Sequence, residues 1–218
     1  QDVSKGEGRT VLFVSHNMDN IQKLTNRCII LNKGRVSFDG NPYEGIEKYL
    51  LEYKKNHIGT VYTETRKRYG NHGSKAKILS IDPKDVNTGF NYKILSPIEF
   101  FVNIGLNEKV DSDLRLGLTL KNYNNNPILS TTSNYIEPNR KRIRLLLSIK
   151  DIKLAPGTYK LSISLGCGQL NEVRTEYDIL QDVLELDIFN AGNKNDVMYN
   201  WQSSYGYFYH NNTLIEEQ

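Results

Sequence analysis

A chain of 218 residues with 38% hydrophobic and 24% charged residues, both signs mixed, has the composition of a globular protein and not of a disordered one. A formal net charge of +3 argues against a nucleic-acid-binding surface, which needs a concentrated basic face. The one tight basic cluster is Arg66-Lys67-Arg68, and no apolar run reaches the length of a membrane-spanning helix.

The first 55 residues read as strand, helix, strand, helix. Thr10 to Ser15 is a continuous apolar run, the pattern of a parallel strand covered on both faces. Ser15 or Asn17 can cap a helix over roughly 18–27, with Met18, Ile21 and Leu24 along one stripe. Cys28 to Leu31 is a second apolar run. Asn32-Lys33-Gly34 turns the chain into Arg35 to Phe38, the other arm of a hairpin. Pro42 then opens a helix that places Tyr43, Ile46, Leu50 and Tyr53 at helical spacing and ends near Lys55.

Residues 56–74 read as an exposed, mobile linker, with Gly59, Gly70, Gly73 and the basic cluster. From residue 75 to 218 the pattern changes to short alternating segments. Strands are predicted over 77–81, 97–106, 113–121, 142–150, 158–166, 183–189 and 205–210, with turn residues at 107–108, 122–127 and 190–195. Leu114, Leu116, Leu118 and Leu120 share one face of their strand, and Arg115, Gly117 and Thr119 the other. Two-residue periodicity over seven or eight strands predicts an antiparallel β-sandwich of immunoglobulin-like type, so the whole is mainly β behind a short α/β piece.

Cys28 and Cys167 lie far apart without metal spacing and read as free thiols in a reducing compartment in preference to a disulfide. No paired carboxylates, nucleophile–base pair or His/Cys metal motif stands out. The first residue is Gln1 and not Met, which suggests a fragment.

His16 stands at the end of the first apolar run. Taken alone, it reads as a polar residue finishing a strand. Its context "GRTVLFVSHNMDNIQKLTNRCIILNKGRVSFDGNPYEGIEKYL" resembles the end of an ABC-transporter ATPase domain: the switch-histidine strand, its helix and the "GRVSFDG" hairpin. The resemblance assigns His16 to the position that meets the γ-phosphate and attacking water. That role needs a phosphate cradle, Gly-x-x-x-x-Gly-Lys-Ser/Thr, and this sequence contains none. ATP and Mg²⁺ therefore belong to the complete subunit. The chain alone is expected to bind no cofactor and to hydrolyse no ATP.

The order of the two halves, with "LAPGTYKLSISL" in the second, resembles the ATPase subunit of O-antigen polysaccharide exporters, the Wzt type. The resemblance implies a carbohydrate-binding sandwich that selects polysaccharide for export through its terminal group. It also implies a homodimer, in some members with an exchanged last strand. A membrane permease partner and a cytoplasmic place at the inner face of the membrane follow from it. The residues permit such binding. Arg115 and Thr119 on one strand and Lys160, Ser162 and Ser164 on another face outward, and a cation there would suit an anionic cap. The segment Trp201, Tyr205, Tyr207, Tyr209 and His210 suits sugar stacking, a dimer interface or plain core alike. The rival reading is a dimerisation or docking sandwich with no glycan site.

Overall fold

The computed structural model describes residues 10–15, 21, 24–52, 59–69, 75–168, 174–189 and 206–208. Near the N-terminus, β1 (Cys28–Asn32) and β2 (Arg35–Gly40) form an antiparallel hairpin. Lys33 and Gly34 both take positive φ, 48° and 79°, the geometry that a two-residue turn needs to match strand twist. Helix α1 (Pro42–Glu52) follows at once. The side-chain Oδ1 of Asn41 accepts the N–H of Tyr43 at 2.9 Å and caps the helix, with Pro42 in the first turn where its missing N–H costs nothing. Gly45 lets α1 lie close on the hairpin: a Cβ there would sit 2.8 Å from Cys28 Sγ.

The expected strand at 10–15 is not formed. Leu12 and Val14 are 86% and 91% exposed, and residues 10–15 pair with no described strand. A parallel strand covered on both faces needs neighbours to either side, and the pattern alone cannot supply them. Of the helix predicted over 18–27, Ile21 and Leu24 are helical, residues 25–27 are not, and 18–20, 22 and 23 lie outside the described residues.

The remainder is a β-sandwich. One sheet has four strands in the order β3 (Val61–Tyr62), β4 (Ala76–Pro83), β6 (Ile98–Leu106), β9 (Arg142–Ile149). The other has five: β5 (Asn91–Lys93), β11 (Thr175–Phe189), β10 (Gly157–Cys167), β7 (Leu114–Lys121), β8 (Pro127–Thr132). Every pairing is antiparallel except β5 with β11, which is parallel. The alternation works as read. Ile98, Phe100, Val102 and Ile104 from one sheet meet Leu114, Leu116, Leu118 and Leu120, and Leu161, Ile163 and Leu165, from the other. Each such side chain removed from water contributes roughly 1.5–3 kcal/mol. Buried Tyr159 donates its hydroxyl to Ala155 O at 2.8 Å, so no polar atom is stranded.

Four elements differ from expectation. β8 begins at Pro127, where a turn is predicted; it is an edge strand in which apolar Ile128 and Leu129 precede Ser130, Thr131 and Thr132 without alternation, and edges tolerate proline. β5 is three residues long, too short to show a period. β11 begins at Thr175 and not near Val183, because Asp182, at φ +46°, breaks its alternation with a bulge opposite Ser162. Of the predicted last strand only 206–208 is described, with Phe208 bridging Leu154. No described helix is long and apolar enough to cross a membrane.

Residues 61–69, which the sequence reading assigns to the linker, are built into the sandwich. β3 covers only two residues of β4, so the edge of β4 beyond it has no strand partner. Side chains take its place. Asp178 of β11, fully buried, accepts the N–H of Ile78 at 2.8 Å. Thr63 Oγ1 and Arg68 Nη2 both donate to Ile78 O. Arg68 Nε lies 2.8 Å from Asp178 Oδ1, and Arg68 Nη1 donates to Thr63 O at 2.9 Å. Tyr69 N–H reaches Ile179 O at 3.0 Å, closing the matching edge of β11. Removing one partner of such a pair leaves a buried charge, which costs about 3–5 kcal/mol. Arg68→Met should lower the urea midpoint accordingly. Arg68→Met with Asp178→Asn should be more stable than Arg68→Met alone, since asparagine still accepts from Ile78 without a stranded charge.

On the outer face of the four-stranded sheet, Asp82 accepts Arg144 Nη1 at 2.6 Å and Asn103 Nδ2 at 2.9 Å, while Arg144 lies over the Phe101 ring, 4.3 Å from its centroid. Burial pushes the Asp82 carboxyl up, but hydrogen bonds from Asn103 and Thr60 and the charge of Arg144 outweigh it and hold it below its ordinary 3.8. A carboxyl lowered on folding stabilises fully above its unfolded value and loses that contribution as pH falls through the folded one. Stability measured by urea unfolding should therefore fall on acidification below about pH 4, and Asp82→Asn should make that acid limb shallower.

Candidate functional site

The outer face of the five-stranded sheet follows from register. β7 opposes β10 with Gly117 against Ser164 and Thr119 against Ser162. β8 adds Thr132 beside Gly117 and Ser130 beside Thr119. Two rows result, Thr132–Gly117–Ser164–Ile179 and Ser130–Thr119–Ser162, with strands about 4.8 Å apart. Because the neighbours Leu116, Leu118, Leu161 and Ile163 point into the core, these hydroxyls point away from it.

They line a groove of about 670 Å³. Its floor is low at Gly117, where a Cβ would stand 2.7 Å from Ser164 Oγ. Thr119 Oγ1 and Ser130 Oγ are hydrogen-bonded at 3.1 Å. Ser162 Oγ donates to Asp182 Oδ1 at 3.2 Å and accepts the Asp182 N–H at 3.0 Å, so the bulge in β11 orients this serine. Lys121 Nζ meets the same carboxylate at 3.0 Å. At the other end Arg115 is buried, donates from Nε to Gly168 O at 2.9 Å and pairs through Nη2 with Glu176. The described face is thus rich in hydroxyls, and its Arg115 and Lys121 are each matched by a carboxylate.

Of the residues singled out from sequence, Arg115, Thr119, Ser162 and Ser164 come together in this groove. Arg115 is not the exposed cation expected of its strand parity. It opposes Gly166, and with no side chain between them it reaches Glu176 on the next strand. Lys160 lies outside the groove lining and donates to Asn125 Oδ1 at 2.9 Å. Tyr207 packs edge-on against buried Tyr159, with centroids 6.4 Å apart, and its hydroxyl accepts Asn122 Nδ2 at 2.7 Å; it belongs to the core margin. His16, Trp201, Tyr205, Tyr209 and His210 lie outside the described residues. Ser130, Thr131 and Thr132 were missed from sequence. Their signal is a run of small hydroxyl residues, legible only once β8 is known to be a strand.

Elsewhere Cys28 and Cys167 are both free thiols. Cys167 Sγ lies 3.3 Å from Tyr177 OH, and that hydrogen bond with partial burial pushes the phenol up to about 12. Among the described residues no three His, Cys, Asp or Glu side chains gather as a metal site.

The family model described as the Wzt C-terminal domain matches residues 65–201, more than half of the chain. The chain belongs to the Wzt C-terminal domain family. The match begins within the segment that closes the sheet edges, three residues before Arg68. A crystal structure of the C-terminal domain of Wzt is similar at 20% identity, covering 62% of this chain and 84% of that one, with a TM-score of 0.48. Over 50 residues the chain is 34% identical to the energy-coupling factor transporter ATP-binding protein EcfA2 of Mesomycoplasma hyopneumoniae, 22% of this chain and 17% of that protein. The corresponding protein of Mycoplasmopsis pulmonis is 39% identical over 49 residues, 22% of this chain and 16% of that protein. The chain thus spans only about a sixth of the curated relatives it matches.

In this Wzt C-terminal domain the place of Arg115 makes it a structural residue first. Arg115→Ala should destabilise the ligand-free chain by about 2–4 kcal/mol through the unpaired Glu176 and lost packing. Thr119→Ala, with its hydroxyl toward solvent, should change stability by less than about 0.5 kcal/mol. Thermal or urea unfolding without ligand reads both.

Proposed function

We propose that this chain is the polysaccharide-recognition part of the ATP-binding subunit of an ABC exporter, and that the groove over Gly117 holds the glycan. The hydroxyl-lined, low-floored groove carries this reading. A sugar presents hydroxyls that both donate and accept, and so do Thr119, Ser130, Ser162 and Ser164. Arg115 and Lys121, two of the three cations on the lining with Arg174, are already matched by Glu176 and Asp182, which favours a neutral sugar segment over an anionic cap beside them. Membership of the Wzt C-terminal domain family and the short stretch similar to transporter ATP-binding proteins support the exporter setting.

In this reading residues 1–55 are the end of the ATPase domain, and His16 is its switch histidine. The residues that cradle ATP and Mg²⁺ lie elsewhere in the complete subunit. The subunit pairs with a membrane permease at the inner face of the membrane and works as a dimer. Two copies of a weak, water-rich site then act together, raising avidity without new contacts.

A glycan array followed by calorimetry tests the site. Binding of oligosaccharides is expected, weakened about tenfold or more, or 1.4 kcal/mol, by Gly117→Val, which fills the floor, and by Thr119→Ala with Ser162→Ala. Comparing a bound glycan with the same glycan lacking its end group tests terminal recognition. Equal affinity for both would refute that part. A stable dimer in light scattering with no glycan signal would replace the whole reading with a docking sandwich.

A further inference from the structure

The opposite face of the sandwich carries a different chemistry. On the outer side of the four-stranded sheet, register places Lys77 of β4 directly beside Gly105 of β6, and Gly105 directly beside Arg142 of β9. Ala76, Ile78, Ile104 and Ile143 go inward, so Lys77, Gly105 and Arg142 form one outward row across three strands. Gly105 carries no side chain, and Leu79 of β4 lies against its outer side. A Cβ at Gly105 would stand 3.1 Å from Leu79 Cδ1, so the glycine makes room for that leucine at the floor of the row.

These residues line a cleft of about 540 Å³ together with Lys141, Tyr62 and Glu64. Arg68 reaches its wall but is matched by Asp178. Among the described residues Lys77, Lys141 and Arg142 take part in no ion pair. Three cations against the single acid Glu64 leave the cleft with an excess of two positive charges.

The other sheet shows what such a row does when an acid is present. There Arg115, Gly166 and Glu176 stand side by side in register, and the cation and the carboxylate meet across the bare glycine. In the Lys77–Gly105–Arg142 row the register is the same, with a second cation in the place of the acid and the Leu79 side chain over the glycine. Two strand spacings put the flanking backbones about 10 Å apart, within reach of two long side chains converging on one small anion. A guanidinium fork and an ammonium on opposite sides are a complement for tetrahedral oxyanions, which accept several charge-assisted hydrogen bonds.

We propose that this cleft binds a phosphate-type dianion between Lys77 and Arg142, with Lys141 at its margin. The group can be free in solution or carried on a lipid headgroup; the recognition chemistry is the same. The site is separate from the hydroxyl-lined groove and does not depend on what that groove binds.

The test uses the whole chain with inorganic phosphate, pyrophosphate and, in parallel, phosphatidylcholine vesicles with and without phosphatidic acid. Phosphorus NMR or calorimetry reads the soluble anions and vesicle sedimentation the lipid. Binding is expected to weaken about tenfold in Arg142→Gln and in Lys77→Gln, and to be unchanged in Lys33→Gln, a cation at the tip of the β1–β2 turn. Circular dichroism checks that the variants fold. Loss in both cleft variants with soluble anions supports the site with a free ligand. The same loss seen with phosphatidic acid vesicles alone supports it with a lipid headgroup. No binding of any probe, or an equal loss in Lys33→Gln, overturns the proposal. Failure of the glycan array leaves this result untouched, and the reverse also holds.

Discussion

The sandwich depends on how its open side is closed. β3 is two residues long, so the backbone of Ile78 would face outward unpaired, and β11 would be bare at Ile179 and Leu180. Unpaired N–H and C=O groups are costly when buried and prone to aggregation when exposed. One buried ion pair resolves both edges. Asp178 turns from β11 to the N–H of Ile78, and Arg68 holds Asp178 while donating to the Ile78 and Thr63 carbonyls. The two sheets are thereby tied by polar groups as well as by the apolar layer between them. Desolvation takes back much of the Coulombic attraction in such a pair. Its contribution is therefore better placed in fixing which backbone atoms face each other than in net stability.

That fixed relation sets the registers on which both outer faces rest. With β11 held at Asp178, the residues that follow must absorb the mismatch with β10, and they do so at the bulge containing Asp182. The bulge turns the Asp182 N–H and carboxylate toward Ser162 and Lys121. A feature that looks like a defect in alternation thus orients one hydroxyl of the groove and matches the charge at its rim. Clamp and bulge lie on one strand, β11, and the bulge reaches across to Ser162 of β10, which links stability to the proposed recognition surface.

The parts legible in sequence are those governed by a period. Leu114 to Leu120 and Tyr159 to Leu165 alternate strictly, and their inward and outward sets are as read. The outward sets contained Thr119, Ser162 and Ser164 on two separate strands, and the pairing of β7 with β10 brings them together. What was hidden has no period or depends on distant partners. β5 and β3 are too short, β8 has no apolar alternation, and Asp182 interrupts β11. Arg68 stood in a glycine-flanked basic run that resembles a linker, and its partner is more than a hundred residues away in the chain. Arg115 shows the limit of parity most clearly: the rule put it on the outer face, but only the register reveals that Gly166 opens its path to Glu176.

Glycine on a strand is usually read as a weak point, since it packs nothing and adds freedom to the unfolded chain. Here three outward glycines, Gly105, Gly117 and Gly166, act by the room they leave to their neighbours. Gly166 admits a salt bridge, Gly117 lowers a groove among hydroxyls, and Gly105 makes room for Leu79 in a row flanked by two cations. The core beneath each is the same aliphatic layer, so the difference lies wholly in the side chains that flank the gap. A β-sandwich held rigid from within can therefore change ligand chemistry by substitutions on either side of a bare position. Exposed changes such as Thr119→Ala cost little stability, whereas those at buried Arg115, Asp178 or Arg68 leave a buried charge without its partner.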